Sequence, residues 1–283
     1  MVPSCQGWQK HPVAGVNSLL LWNVCVLFWG LSLLQNSTWL IDPYWTLIPP
    51  FIEAYYATHP AATGSSRSNC AAVLVAFWSL RLSYSYLRRE GWQLGAREDW
   101  RFADMRKKYG RNWWWMSFFL AYISQHFMLL GLTLPLYSSS FSAAPWHWRW
   151  DGLAVAMCLS GLLTAYVSDT ALHGFVQAKK NGAAADKPQE QLLQTGLWHH
   201  SRHPNHVGEQ LFWWGLAMFA VSSGDYWTLI GPLFNTICMV QVTRLVEERM
   251  LKQPGRAAAY RQYQQTTPMW FPGVSTFQNK HVA

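Results

Sequence analysis

A chain of 283 residues with 51% hydrophobic, 16% aromatic and only 13% charged residues has a membrane-type composition, since soluble domains carry about a quarter charged residues. Its mean hydropathy of −0.03 runs low because 19 tryptophans and 12 tyrosines depress the scale while suiting the membrane interface. The net charge of +8 points to membrane topology rather than to nucleic acid, because Lys and Arg fall between apolar segments with no basic tail or nucleic-acid motif.

Apolar runs near the 20 or so residues needed to cross the hydrocarbon fall at about 16–35, 40–57, 70–87, 113–136, 151–175, 207–222 and 227–246. They predict an all-α integral membrane protein of about seven transmembrane helices with basic cytoplasmic loops. The first run follows a single Lys or Arg, Lys10, and is as long as a full span, so it reads as a retained anchor rather than a cleaved leader. The second contains Pro49, Pro50 and Glu53, and the last two are separated only by a short SSGD turn. Three cationic stretches, 88–111, 177–202 and the tail after Thr243, share one side of a seven-span scheme. The positive-inside tendency then places the C-terminus in the cytoplasm, although the first cytoplasmic connection, 36–42, has no Lys or Arg. The stretch NGAAADKPQE at 181–190 has the composition of a flexible connection. REDWRFADMRKKYG at 97–110 alternates charges and aromatics as an amphipathic helix on the membrane or over a cavity does. An anchor at 1–39, one membrane domain at 40–273 and a tail at 274–283 complete the expected organisation.

The five cysteines, Cys5, Cys25, Cys70, Cys158 and Cys238, are odd in number, scattered and without a CxxC pair. Neither a disulfide framework nor a zinc site follows. TGLWHHSRHPNHVGE, from Thr195 to Glu209, sets four histidines just before an apolar run. Pro204 removes a backbone donor and disfavours helical geometry at His203, so the four rings do not share one helix, and no further histidine box exists. No metal is expected. Arg202, Asn205 and Glu209 instead make a kit for a polar cofactor: a planar fork suited to phosphate, an amide, and an acceptor for ribose or carboxamide groups. An ordinary interfacial cap, with Asn205 starting the helix and Arg202 touching lipid phosphate, accounts for them equally well. Asp169 lies in an apolar span, where an ionisable group is costly unless it faces a cavity or a partner. Glu53 and Arg81 lie in other spans and invite pairing with each other or with a ligand. Glu247 and Glu248, beside Arg244 and Arg249, read as a solvated, salt-bridged face.

FWSLRLSYSYLRREGW at 77–92, EDWRF at 98–102, SD at 168–169, the Thr195–Glu209 segment with WWG at 213–215, and EERMLKQPGRAAAYRQYQQTTPMWFP at 247–272 occur in an order that resembles the steroid 5-alpha-reductase-like membrane family, in the branch of mostly undefined substrate. The resemblance covers about residues 40–273. It implies a seven-span fold whose C-terminal half holds NADPH from the cytoplasmic side and whose N-terminal half encloses a hydrophobic substrate. On matching positions Asp169, Asn205 and Glu209 become cofactor residues, with Arg202 and His203 in the same motif and Arg244 and Glu248 as looser candidates in the last helix. Where the characterised steroid reductases carry a catalytic tyrosine, this chain has Trp78 before Arg81, and an indole has no acidic hydroxyl. Tyr84, about a turn past Arg81, and Glu53 are then the candidate catalytic pair. His206 stands where an aromatic is usual.

The resemblance implies a membrane oxidoreductase acting on a carbon–carbon double bond conjugated to a carbonyl in a lipid or sterol-like substrate drawn from the bilayer. NADPH supplies the hydride and a buried acid the proton. Membrane methyltransferases of the isoprenylcysteine and phospholipid type, which use S-adenosylmethionine, share an RHP segment and a following EE segment at similar spacing. A noncatalytic lipid-binding relative is the third alternative, which Trp78 keeps open. A multi-pass membrane location is expected, the endoplasmic reticulum if the cell is eukaryotic.

Overall fold

The computed structural model describes residues 11–95, 97–181 and 191–271. Cys5, most of the predicted flexible connection and the predicted tail lie outside the described residues.

The described chain is helical, with no strand among the described residues. We number the helices α1 (Pro12–Gln35, with a π-helical stretch at Leu21–Phe28), α2 (Ile41–Ala57), α3 (Ser66–Arg89), α4 (Trp100–Tyr109), α5 (residues 113–141), α6 (Trp148–Lys180), α7 (Leu197–His200), α8 (Pro204–Ser223), α9 (Ile230–Leu251) and α10 (Pro254–Thr266). Helices occupy all seven predicted apolar runs. Among the described residues five segments are long and apolar enough to cross a membrane: Pro12–Gln35, Ser66–Arg89, Trp100–Phe141, Trp148–Lys180 and Tyr226–Leu251. The other two runs form α2, only 17 residues long, and α8, whose first two turns carry Asn205, His206, Glu209 and Gln210. Pro49 and Pro50 sit inside α2 without ending it, as prolines do where neighbouring groups take up the freed backbone.

The chain forms two compact units, Met1–Ala156 with Trp213–Asn235, and Met157–Phe212 with Thr236–Ala283. In the first, α2 packs on α3 and α5, burying Ile52, Tyr56, Val75, Trp78, Leu129, Leu132 and Leu136. The expected N-terminal anchor is part of this packing, since α1 buries Val16, Leu20, Val24 and Cys25 and Asn17 meets the His126 ring at 2.9 Å. The EDWRF motif acts as a tie. Glu98 accepts from the Thr38 amide at 2.9 Å, the Thr38 hydroxyl at 2.6 Å and Arg106 at 2.7 Å. Asp99 caps α4 through the Arg101 amide at 2.8 Å and pairs with the Arg101 guanidinium at 2.6 Å. Burial pushes the Asp99 carboxyl up, but the bonds and charge of Arg101 outweigh it and hold the group below the usual aspartate range.

In the second unit α6 and α8 touch backbone to backbone. A Cβ on Gly208 would lie 2.5 Å from the Ala165 amide nitrogen, and one on Gly161 would lie 2.5 Å from that of Phe212. Gly161-x-x-x-Ala165 opposite Gly208 places small residues at the crossing, which lets apolar helices approach closely. It fixes the register of the polar segment at the start of α8.

Candidate functional site

The polar segment folds as a short helix, a turn and a long helix, for reasons visible in its residues. Gly196 takes φ +61° and ψ −132°, a conformation for which glycine is suited, and admits α7. Ser201 is extended, with φ −147° and ψ 141°, and Pro204 is the first residue of α8, where a missing amide proton costs nothing. His199 and His200 are exposed on α7, His203 lies in the turn, and His206 is on α8 stacked on His203 at 5.1 Å. Among the described residues no group of three or more His, Cys, Asp or Glu is placed to hold a metal ion. Asn205 is the second residue of α8, which removes it from the capping role that the sequence left open.

Arg202 is 4% exposed and grips Glu247 with both arms, at 2.8 and 3.1 Å. Its third nitrogen donates to the carbonyls of Thr267 and, at 3.4 Å, Gln264, while its amide donates to the Pro268 carbonyl at 3.0 Å. The His203 ring meets Glu247 at 3.1 Å and the Tyr260 hydroxyl at 3.4 Å, and Gln264 donates to Glu247 at 2.8 Å. The fork predicted for a phosphate is thus spent on a carboxylate, and the network ties the start of α8 to the end of α9 and to α10. Glu247 is 8% exposed, so the expectation of a solvated face fails for it. On α9 Thr243, Val246, Glu247 and Met250 face inward at helical spacing, whereas Arg244, Leu245, Glu248 and Arg249 are exposed or nearly so in turn on the other stripe. Arg244 and Glu248 accordingly stand on the outer stripe.

Above this network lies a cavity of about 650 Å³ within the second unit. Leu172, Phe175, Val176, Lys179 and Lys180 line it from α6 at spacings of three and four, the stripe that one helix face presents. Leu192, Leu193, Val246 and Met250 extend the apolar wall, Arg256 adds a third cation besides the Glu247-paired Arg202, and Trp198, His203, Asn205, His206, Tyr260 and Tyr263 belong to the polar part. Asn205 lines the cavity, and its side-chain oxygen is buried and meets no partner among the described residues, an acceptor in want of a donor. Asp169 and Glu209 do not line it. Each is partly buried and stands about one turn from a lining residue, Leu172 and Asn205, along its own helix.

Tyr260 and Tyr263 escaped the sequence reading, although their spacing on a helix opened by Pro254 was a signal. Burial raises the pKa of both hydroxyls; the Glu247 charge adds to the rise and Arg202 opposes it. Tyr263 donates to the Trp198 carbonyl and, at 3.2 Å, that of Ser201, so it is an anchor of the turn.

In the first unit, Glu53 and Tyr84 do not come together. Glu53 is 1% exposed beside Ser68, whereas Tyr84 is 40% exposed, under the Arg88 guanidinium at 5.0 Å and near Trp92. Sixteen residues of α3 separate Ser68 from Tyr84, about 24 Å along a helix, which corrects the expectation that Glu53 and Tyr84 form a catalytic pair. Trp78 is buried edge-on against Trp213, with ring centres 4.9 Å apart.

Such a chain is a helical protein with several helices apt for a membrane and a cation-rimmed apolar cavity. It belongs to the DUF1295 family, described as a protein family of unknown function, whose model matches residues 28–267. It is similar to an uncharacterized protein of Schizosaccharomyces pombe, 27% identical over 275 residues that cover 90% of this chain and 77% of the other. No solved structure matches.

Proposed function

We propose that the protein is a membrane oxidoreductase that uses NADPH to reduce a carbon–carbon double bond conjugated to a carbonyl in a lipid or sterol-like substrate. The observation that carries this reading is the cavity of about 650 Å³, which combines an apolar wall, three cations and the unpartnered Asn205 oxygen. These residues fit the cofactor. Lys179, Lys180 and Arg256 would hold its phosphates as point charges and a fork. Asn205 would accept from its carboxamide, and Phe175 and Trp198 would flank its rings. Asp169 and Glu209, about a turn away, are the acceptors for ribose hydroxyls. When bound, the cofactor supplies the hydride; the chain's own share is orientation, exclusion of water by the apolar wall, and electrostatics. Arg202 and His203 act by fixing the turn that presents Asn205. Arg244 and Glu248, on the outer stripe, have no assigned contact in this reading.

S-adenosylmethionine suits this cavity less well, because it carries a sulfonium and no phosphate, and three cations repel the first and await the second. In the membrane we place seven spans, with the segments 88–111 and 177–202 and the C-terminus in the cytoplasm, in the endoplasmic reticulum if the cell is eukaryotic. Membrane lipids and an apolar substrate entering from the bilayer are its partners. The experiment is consumption of NADPH with a panel of lipid enones by the purified protein. Consumption that the Asn205→Ala variant loses supports the proposal; consumption equal in both sinks the site.

A further inference from the structure

We infer that the cavity of the second unit also accepts a single-chain glycerophosphate, a lipid with one acyl chain, a free hydroxyl and a phosphate, in place of NADPH. Its walls are polarised. On α6 the lining runs from Leu172, Phe175 and Val176 to Lys179 and Lys180, so about 10 Å of apolar helix face precedes two cations. On the other wall Val246 and Met250 of α9 come first and Arg256, in the first turn of α10, comes last. Both α6 and α9 belong to segments long and apolar enough to cross a membrane, and the cavity lies against the C-terminal turns of each. Its apolar part therefore lies on the bilayer side and its cations on the water side, the order in which a lipid presents chain and head. Val176 lines the cavity and is 40% exposed, which sets an apolar residue at the opening.

The cationic end also offers an acceptor. The Gln191 side-chain oxygen is buried and has no partner among the described residues. Gln191 lines the same cavity, and its oxygen lies 4.0 Å from where a Cβ on Gly255 would stand, next in sequence to Arg256. A head held there must bring a donor along with its anion, and a glycerol hydroxyl on the carbon next to the phosphate ester supplies both. Lys179 and Lys180 meet the phosphate as point charges and Arg256 as a planar fork. Arg202, the remaining cation of the lining, is held by Glu247 at 2.8 Å. The volume of about 650 Å³ is that of a pocket for one drug-sized ligand, which favours one chain over two.

The same three cations cannot serve two phosphate-bearing ligands at once, so lipid and NADPH exclude each other. A leaflet rich in single-chain glycerophosphate then lowers cofactor occupancy and slows the enzyme. That regulatory consequence rests on the reductase reading, whereas lipid binding stands on the second unit alone.

The test uses the full chain in phosphatidylcholine nanodiscs and lysophosphatidate carrying a photoreactive diazirine in its chain, with cross-linked peptides mapped by mass spectrometry. Residues 172–176 and 246–250 should be labelled in a saturable way that excess unlabelled lysophosphatidate removes. The Lys179→Ala/Lys180→Ala variant should need about tenfold more lipid for half-saturation. Gln191→Leu should need about fivefold more and should lose the native preference for lysophosphatidate over dodecyl phosphate, which has no hydroxyl. Both variants should melt near the native temperature. Labelling that does not saturate, or that both variants leave unchanged, overturns the inference. So does displacement by inorganic phosphate at the same concentrations, which marks a site for a free anion. NADPH should displace the label, and a label that persists beside bound NADPH overturns the competition. The two readings fail separately: a saturable label with no NADPH binding removes the reductase reading alone, and NADPH binding with no saturable label removes the lipid site alone.

Discussion

Truncating Glu247 to alanine leaves the Arg202 guanidinium, 4% exposed, without the carboxylate it grips at 2.8 and 3.1 Å. Removing one partner of a buried pair costs about 3–5 kcal/mol, because the other charge stays desolvated and unpaired. The carbonyls of Thr267 and Gln264 remain as acceptors, which sets the expectation near the lower end, about 3 kcal/mol. For a chain of this size each kcal/mol moves the midpoint by about 2 °C, so Glu247→Ala should melt about 6 °C lower. The neighbouring Glu248 is exposed, and Glu248→Ala should stay within about 0.5 kcal/mol of the native protein. Thermal unfolding of the detergent-purified protein, followed by tryptophan fluorescence, reads both. An Arg202→Met/Glu247→Leu double variant should recover most of the loss, since an apolar pair fills the space without a bare charge. Equal losses at the two glutamates, or a double variant worse than either single one, would refute the reasoning.

The close approach of α6 and α8 predicts that Gly208→Ala destabilises by about 1–3 kcal/mol through overpacking. Gly174→Ala, where an added Cβ meets nothing within 4 Å, should stabilise by about 0.4–1 kcal/mol; the same melts compare them. Lys179→Ala with Lys180→Ala should weaken NADPH about tenfold and reduce the salt dependence of its binding; calorimetric titration at two ionic strengths checks this. Asp99→Ala should cost about 1 kcal/mol as a lost helix cap and speed proteolysis of the segment before α4. Because the Asp99 carboxyl is held low, its contribution is fully present above the ordinary aspartate value of about 3.9 and is lost as acidification passes through the lowered value. Melting curves of the native and Asp99→Ala proteins should therefore converge in acid.

The helices were legible because apolar runs of membrane length announce themselves, and Pro204 marked the start of α8 through its own backbone chemistry. What escaped was pairing across long separations. Arg202 finds Glu247 45 residues away, and nothing local distinguishes Glu247 from Glu248, which differ by a single position and so point about 100° apart around the helix. A sequence motif shows that arginine and glutamate recur, but only the inward stripe of Thr243, Val246, Glu247 and Met250 tells which glutamate is used. The same limit separated Glu53 from Tyr84: both are polar groups in apolar spans, yet their places on antiparallel helix ends lie far apart. Pro49 and Pro50 misled in the opposite direction, weakening a helix that its neighbours maintain.

The most direct test of the cofactor assignment is equilibrium titration of the purified protein with NADPH, NADH and S-adenosylmethionine. NADPH should bind, and Asn205→Ala and the Lys179→Ala/Lys180→Ala variant should each weaken it while leaving the melting temperature near that of the native protein. Binding of S-adenosylmethionine with no response to either nicotinamide would contradict the account.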